Sequence, residues 1–142
     1  MMVSDELKKI IDQLNEQGKM IFFEAAAEED IAAFEKKHGI RLPEKYKEWL
    51  RFSDGGDLFL PAGLQLYGVV HKPIIDVDDA DRPDENYVVI GALSMGDPIV
   101  FEKTKEQISI YNHESDCIEE DETYADFFAL LNDLYDLLGI GG

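Results

Sequence analysis

The residues of this chain that could do chemistry are mostly carboxylates. The 142 residues include 31 Asp and Glu against 13 Lys and Arg, with three His and one Cys. Calcium loops place their oxygen ligands at fixed spacings, and an aspartate-rich segment begins at Asp76. Read as such a loop, it puts Asp81 where glycine is required and Tyr87 where a glutamate should close the site. The spacing therefore does not predict a dedicated calcium site.

The histidines and the cysteine also lack the spacing of a reactive centre. His38, His71 and His113 are far apart, and no pair of ligands has zinc-finger or metalloprotease spacing. Cys117 follows His113 by four residues in a polar stretch that we expect to be irregular, and the sequence does not indicate the environment that a nucleophilic thiol needs. Any two of the carboxylates could converge as general acid and base, but the sequence singles out no pair. We expect no catalytic residue, no metal and no cofactor.

The acidity lies mainly in the second part of the chain. The formal net charge is −18; residues 1–52 contain 11 acids and 9 bases, whereas residues 53–142 contain 20 acids and 4 bases. Such a surface repels nucleic acid and anionic membranes. Two acidic clusters stand out, one of Asp76, Asp78, Asp79, Asp81, Asp84 and Glu85, the other of Glu114, Asp116, Glu119, Glu120, Asp121 and Glu122. Each is either a solvated loop or a surface for a cationic partner, and their segregation favours the partner.

The sequence also suggests a compartment. A single cysteine cannot form an internal disulfide, and the first residues lack the basic and apolar regions of a signal peptide. The longest uncharged run, Leu58 to Val70, is too short to span a bilayer. We therefore expect a cytoplasmic protein without a membrane partner.

Three helices are predicted in the first part of the chain. Ser4 can cap the first, whose apolar stripe ends before Gly18. The second has acidic residues in its first turn and basic ones in its last, and Gly39 supplies a left-handed stop. The third begins at Pro43, and Asp54-Gly55-Gly56 ends it and turns the chain.

Beyond Gly56 the pattern changes to short apolar runs of the kind found in strands. They are Leu58–Leu60, Leu64–Val70, Tyr87–Leu93, Ile99–Phe101 and Ile108–Tyr111. Met20–Phe23 is either a strand or a packed link, and residues 76–86 form an exposed loop. A regular amphipathic helix follows from Thr123 to Leu138, with Thr123 and Asp126 spaced as a capping pair. The prediction is an α+β domain over residues 1–142, with N-terminal helices and a C-terminal amphipathic helix packed against a mainly antiparallel sheet.

The first helices carry a signature that resembles that of the SUKH superfamily. This superfamily includes the fungal cell-wall assembly regulator and many bacterial toxin-immunity proteins. The resemblance is strongest over residues 25–56 and extends to about residue 138. Its motif residues here are Leu42, Pro43, Tyr46, Trp49, Leu50, Gly55, Gly56, Gly96, Asp97 and Phe127.

This resemblance implies a protein-binding domain rather than an enzyme. We expect the motif residues to be structural: Gly96-Asp97 has turn chemistry, and Trp49 is either core or a partly exposed anchor. The leading hypothesis is an immunity protein that neutralises a basic toxin, such as a nuclease, through the twelve residues of the two acidic clusters. The alternative is a regulatory scaffold that binds a cellular protein.

Overall fold

The computed structural model describes residues 4–60, 63–70, 87–94, 96–103, 105–112 and 117–137. For Cys117, residues 119–122 and residues 135 and 136, the description covers the backbone alone. The described helices and strands are α1 (Asp5–Gln17), α2 (Glu28–His38), α3 (Glu44–Leu50), β1 (Gly56–Leu58), β2 (Leu64–Leu66), β3 (Tyr87–Leu93), β4 (Pro98–Glu102), β5 (Ile108–Asn112), β6 (Cys117–Tyr124) and α4 (Phe127–Leu137). The α+β prediction is confirmed.

Helices α1 and α2 begin and end where the sequence indicates, whereas α3 begins after Pro43 as expected but ends at Leu50, before Asp54-Gly55-Gly56. Ser4 Oγ accepts a hydrogen bond from Leu7 N at 3.2 Å, and the Gly18 N–H closes α1 on Leu14 O. Gly39, at φ 64°, ends α2 in the left-handed region that glycine adopts without strain. Pro43 immediately precedes α3. Its missing N–H costs no hydrogen bond there, because the first N–H groups of a helix have no partner within the helix.

Helix α4 begins later than the sequence predicts. Thr123 and Tyr124 belong to β6, where they pair with Ser109 and Ile108 of β5. Asp126 caps the helix instead, because its Oδ1 accepts a hydrogen bond from Ala129 N at 2.8 Å. The predicted Thr123 cap is therefore wrong, since sheet pairing takes priority over local helix signals at that residue.

The six strands form one antiparallel sheet in chain order, β1-β2-β3-β4-β5-β6. Ile21 exchanges two backbone hydrogen bonds with Asp57, of 2.8 and 2.9 Å, so residues 20–23 form a packed link with one bridge to β1. Two predicted strands are shorter in the structure. Phe59 adopts φ 56°, which ends β1, and β2 stops at Leu66.

The main core lies between the sheet and the helices. It is built from apolar side chains of all four helices together with the inward positions of the strands, among them Leu7, Ile31, Trp49, Ile90, Phe101 and Phe127. A smaller cluster of Val89, Val100 and Tyr111 lies apart from this core, on alternate strand positions. Helix α4 contacts α1, α3 and β6, which joins the two ends of the described chain. Among the described helices none combines the length and the apolar character needed to cross a membrane.

Candidate partner-binding surface and the network that supports it

The turn after α3 is held by hydrogen bonds from buried side chains. Trp49 is fully buried, and its Nε1 donates to Gly55 O at 2.9 Å. Ser53 Oγ donates to the same carbonyl at 2.6 Å and accepts from Phe23 N at 2.9 Å. Gly55 has φ 96°, and a Cβ there would lie 2.5 Å from Leu66 O. Only glycine therefore fits this turn, and Trp49 serves the core rather than a partner.

Asp54 fixes the chain that leaves β2. It is only 1% exposed, and its two carboxylate oxygens accept hydrogen bonds from Val69 N at 2.7 Å and Val70 N at 3.0 Å. Gly68 allows the close approach, because a Cβ there would lie 2.2 Å from Asp54 Oδ1. The end of α3 thus determines where residues 69 and 70 lie, directly before the segment that holds the first acidic cluster.

Tyr46 ties α3 to the sheet. Its hydroxyl group donates to the carbonyl oxygen of Tyr67, and it lies 3.3 Å from Ile90 O. Burial, and then the charge of Asp54, raise the pKa of the Tyr46 hydroxyl well above its ordinary value. The ring of Phe127 packs edge-on against Tyr46 and Trp49, with centroid distances of 4.7 and 5.9 Å. These contacts make Tyr46, Trp49 and Phe127 one aromatic cluster at the centre of the core.

A second polar contact holds the link between α2 and α3. Glu35 Oε2 accepts a hydrogen bond from Leu42 N at 2.8 Å, and Lys47 Nζ lies 3.4 Å from the same oxygen. The Lys47 side chain is only 11% exposed, which strengthens its attraction to the carboxylate. Leu42 and Pro43, in this link, are both buried.

The motif around Gly96 forms the turn between β3 and β4. Gly96 has φ 104°, and its N–H donates to Leu93 O at 2.9 Å. Leu93 N in turn donates to Asp97 O, also at 2.9 Å. The backbone of Gly96 and Asp97 thus closes a hairpin whose geometry requires glycine.

The structure describes only part of the predicted acidic surface. The first cluster lies entirely outside the described residues, as do Glu114 and Asp116 of the second. The backbone of Glu119, Glu120, Asp121 and Glu122, here called the acidic tetrad, lies in β6. The expectation of an irregular chain at Cys117 is wrong, because Cys117 begins β6 and pairs with Asn112. The tetrad is likewise part of a strand and not of a loop.

The register of β5 and β6 places the acidic tetrad in a large bulge. Ser109 pairs with Thr123 and Tyr111 pairs with Ile118, so the single residue Ile110 of β5 faces four residues of β6. A bulge bends the strand and breaks its regular pairing. Among the described strands, β6 and β1 lie at the two ends of the strand order. Residues 19 and 21 form backbone hydrogen bonds on the β1 side, next to β1. Four consecutive acidic residues therefore stand where the edge strand departs from the sheet.

The His, Cys, Asp and Glu residues that the structure describes do not form a metal-binding group. Within these residues no three His, Cys, Asp or Glu side chains are grouped so as to hold a metal ion. The imidazole of His38 packs on Phe34, with ring centroids 4.6 Å apart, at the end of α2. Burial also raises the pKa of the Tyr67 hydroxyl above its ordinary value. Both tyrosines thus favour the neutral form.

Comparison with known families agrees with this arrangement. The family model described as "SMI1 / KNR4 family (SUKH-1)" matches residues 25–133. The chain belongs to this family. No curated protein matches the chain. The matched range of the SUKH-1 domain starts after α1, yet Leu7, Ile10, Ile11 and Leu14 of α1 pack into the same core as Trp49.

Sequence reasoning missed two polar residues that organise this SUKH-1 domain. The sequence analysis assigns Asp54 only to a turn and does not single out Ser53, but both are buried and their side chains bind backbone groups far along the chain. The available signal was the glycines, since Gly55 permits close approach to Leu66 O and Gly68 permits close approach to the Asp54 carboxylate. The sequence alone could not show that Asp54 Oδ1 accepts a hydrogen bond from Val69 N, which lies 15 residues further along the chain.

Proposed function

We propose that this SUKH-1 domain, taken as one unit over residues 1–142, is a non-enzymatic immunity protein. It binds and neutralises a bacterial toxin in the cytoplasm, and its acidic surface contacts a basic face of the toxin. The surface comprises the acidic tetrad with Glu114 and Asp116, and the first cluster of Asp76, Asp78, Asp79, Asp81, Asp84 and Glu85. The domain needs no cofactor for this role.

The position of the acidic tetrad carries the proposal. Four adjacent like charges repel one another and weaken the fold slightly, and a cationic partner removes this repulsion. A bulge in an edge strand interrupts its regular backbone pairing and discourages pairing with another strand edge. The tetrad therefore favours contact through side-chain charge rather than through backbone hydrogen bonds.

A toxin that cleaves nucleic acid fits this surface best. Its substrate cleft must be basic in order to hold phosphates. An acidic protein can be steered into such a cleft at a high association rate and can then block substrate entry. Apolar contacts would hold the complex after the charges have directed it.

A regulatory scaffold is the second candidate. The SUKH superfamily that the sequence resembles includes the fungal cell-wall assembly regulator as well as immunity proteins, so membership of the SUKH-1 family supports either role. A scaffold would bind a cellular protein whose activity is not toxic, so the two candidates differ in the kind of protein that the domain binds.

The experiment co-expresses the domain with toxin domains encoded by neighbouring reading frames and measures survival and binding kinetics. The test variant, E119Q/E120Q/D121N/E122Q, removes four charges from the bulge. The control, E6Q/D12N/E16Q/E29Q, removes the same number and types of charge from exposed positions of α1 and α2. The test variant should slow association by about tenfold at low salt and flatten the salt dependence, because steering depends on local charge. The control should remain close to the wild type.

Rescue of growth with a specific complex would support the immunity proposal. If the test and control variants reduce rescue equally, the tetrad is not part of the interface and only the overall charge of the domain matters. Binding to a cellular protein without any protection against toxins would favour the scaffold instead.

A further inference from the structure

A groove runs between α2 and the segment that follows β2. One cavity of about 250 Å³ is lined by Phe34, Lys37, His38 and Val69, and a second of about 180 Å³ continues toward Glu24 and Ala26. Asp30 and Val70 line both cavities, so the two form one continuous depression. Three strands separate β2 from β6 in the sheet, so this groove is distinct from the acidic tetrad.

The centre of the groove is apolar and partly open. Phe34 and Val69 are 6% and 9% exposed and form its floor, whereas Val70 is 54% exposed. Ile21 is the other large apolar side chain that is exposed in the described part of the chain. The hydrogen bonds from Val69 N and Val70 N to Asp54 hold this backbone in place. An apolar side chain of a partner could therefore cover Val70 without rearrangement of the groove.

The two ends of the larger cavity carry opposite charges, and the smaller cavity continues beyond Asp30 toward Glu24. Lys37 and His38 lie in the last turn of α2, and Asp30 lies in its first. Within the described residues neither Lys37 nor Asp30 forms an ion pair. Seven helical positions separate them, which corresponds to about 10 Å along the helix axis. An extended peptide covers that distance in about three residues.

We propose that this groove is a second protein-docking site, which binds an extended peptide segment with a large apolar residue at its centre. An acidic residue on one side of that residue pairs with Lys37, and a basic residue about three positions away pairs with Asp30. The inference is independent of the proposed immunity role, because it uses neither the acidic tetrad nor a toxin.

The test selects a phage-displayed library of random seven-residue peptides on the full chain. Enriched peptides are then synthesised, and their dissociation constants are measured by fluorescence anisotropy. The expected peptides carry Leu, Ile, Val or Phe between an acidic and a basic residue. Val70→Asp should weaken their binding by about tenfold or more, because it places a charge against the central apolar residue. Ile21→Asp makes the same change at the other exposed apolar residue and should have no effect.

Charge reversal identifies the acidic end of the peptide. Lys37→Glu should weaken binding, and replacing the acidic residue of the peptide by lysine should restore it. Lys9→Glu makes the same change in net charge at an exposed position of α1 and should leave binding unchanged. Trp49 fluorescence checks that each variant is folded, and Val70→Ser replaces Val70→Asp if that variant does not fold.

Two results would overturn the inference. One is a selection that enriches no common peptide pattern. The other is a set of peptides that bind Val70→Asp and Lys37→Glu as tightly as they bind the wild type.

Discussion

Replacing the buried Asp54 by alanine should destabilise the domain more than the same change at an exposed or half-buried carboxylate that the structure describes. The change removes both acceptors of the hydrogen bonds from Val69 N and Val70 N. A hydrogen bond to a charged group contributes roughly 1.5–3 kcal/mol, and a buried donor left without an acceptor costs about 1–3 kcal/mol. Val69 is buried, whereas Val70 is 54% exposed and water can replace the lost acceptor there. We expect a loss of about 2–4 kcal/mol in the free energy of unfolding.

Urea unfolding followed by Trp49 fluorescence measures this loss, since Trp49 is the only tryptophan. With a slope of about 2 kcal/mol per molar urea, the midpoint should fall by roughly 1–2 M. Asp57→Ala is the matched control, because Asp57 is half-buried and its carboxylate accepts one side-chain hydrogen bond, from Gln65 at 3.2 Å. Its midpoint should change by less than about 0.5 M.

Amide hydrogen exchange gives a local check on the same reasoning. In the wild type the Val69 amide should exchange slowly, and in Asp54→Ala its protection should fall more than that of the amides in β4. An unchanged midpoint in Asp54→Ala, or a Val69 amide that already exchanges rapidly in the wild type, would refute the role assigned to this carboxylate.

Two further predictions concern the same region. The pKa of the Tyr46 hydroxyl is raised in the folded state, so the unfolded chain releases this proton at a lower pH than the folded chain does. The contribution of Tyr46 to the free energy of unfolding should therefore be fully present below about pH 10. Above that pH it should fall by up to about 1.4 kcal/mol per pH unit. Tyr46→Phe should lower the free energy of unfolding by about 1 kcal/mol at pH 7 and should make its decline at high pH smaller. Urea titrations of the wild type and the variant at pH 8 and pH 10.5 measure this decline. An identical decline in both proteins would contradict the assignment. Gly55→Ala should lower the free energy of unfolding by at least about 2 kcal/mol, through backbone strain and contact with Leu66 O. Gly39→Ala is the control and should cost roughly 1 kcal/mol, because Gly39 also has a positive φ but nothing lies within 4 Å of the added Cβ. Equal shifts in melting temperature would contradict the close approach at Gly55.

The sequence predicted the helices well because their signals are local. The cap at Ser4, the stop at Gly39 and the start after Pro43 each depend on residues within one helical turn. The start of α4 was missed because the pairing of Thr123 with Ser109 lies 14 residues away in sequence and outweighs its helix-capping tendency. Local propensity alone could not show that competition.

The candidate site was less accessible to sequence reasoning. The composition of Glu119–Glu122 argued for a loop, because acidic residues are uncommon in strands. A strand forms there because the chain on both sides of the tetrad pairs with β5, and the excess residues are accommodated as a bulge. The groove beside Val70 could not be predicted either, since it depends on α2 and the end of β2 meeting in space.

The order of the strands also bears on how quickly the domain becomes active after synthesis. Each strand pairs with its neighbour in the chain, so most turns of the sheet close over only a few residues, and the 20-residue connection from Leu66 to Tyr87 is the long exception. Short closures keep the sequence separation of contacts within the sheet low, and such sheets form faster than those that must join distant strands. If the domain protects a cell against a toxin, this topology allows newly made protein to reach its binding form before much of the toxin has acted.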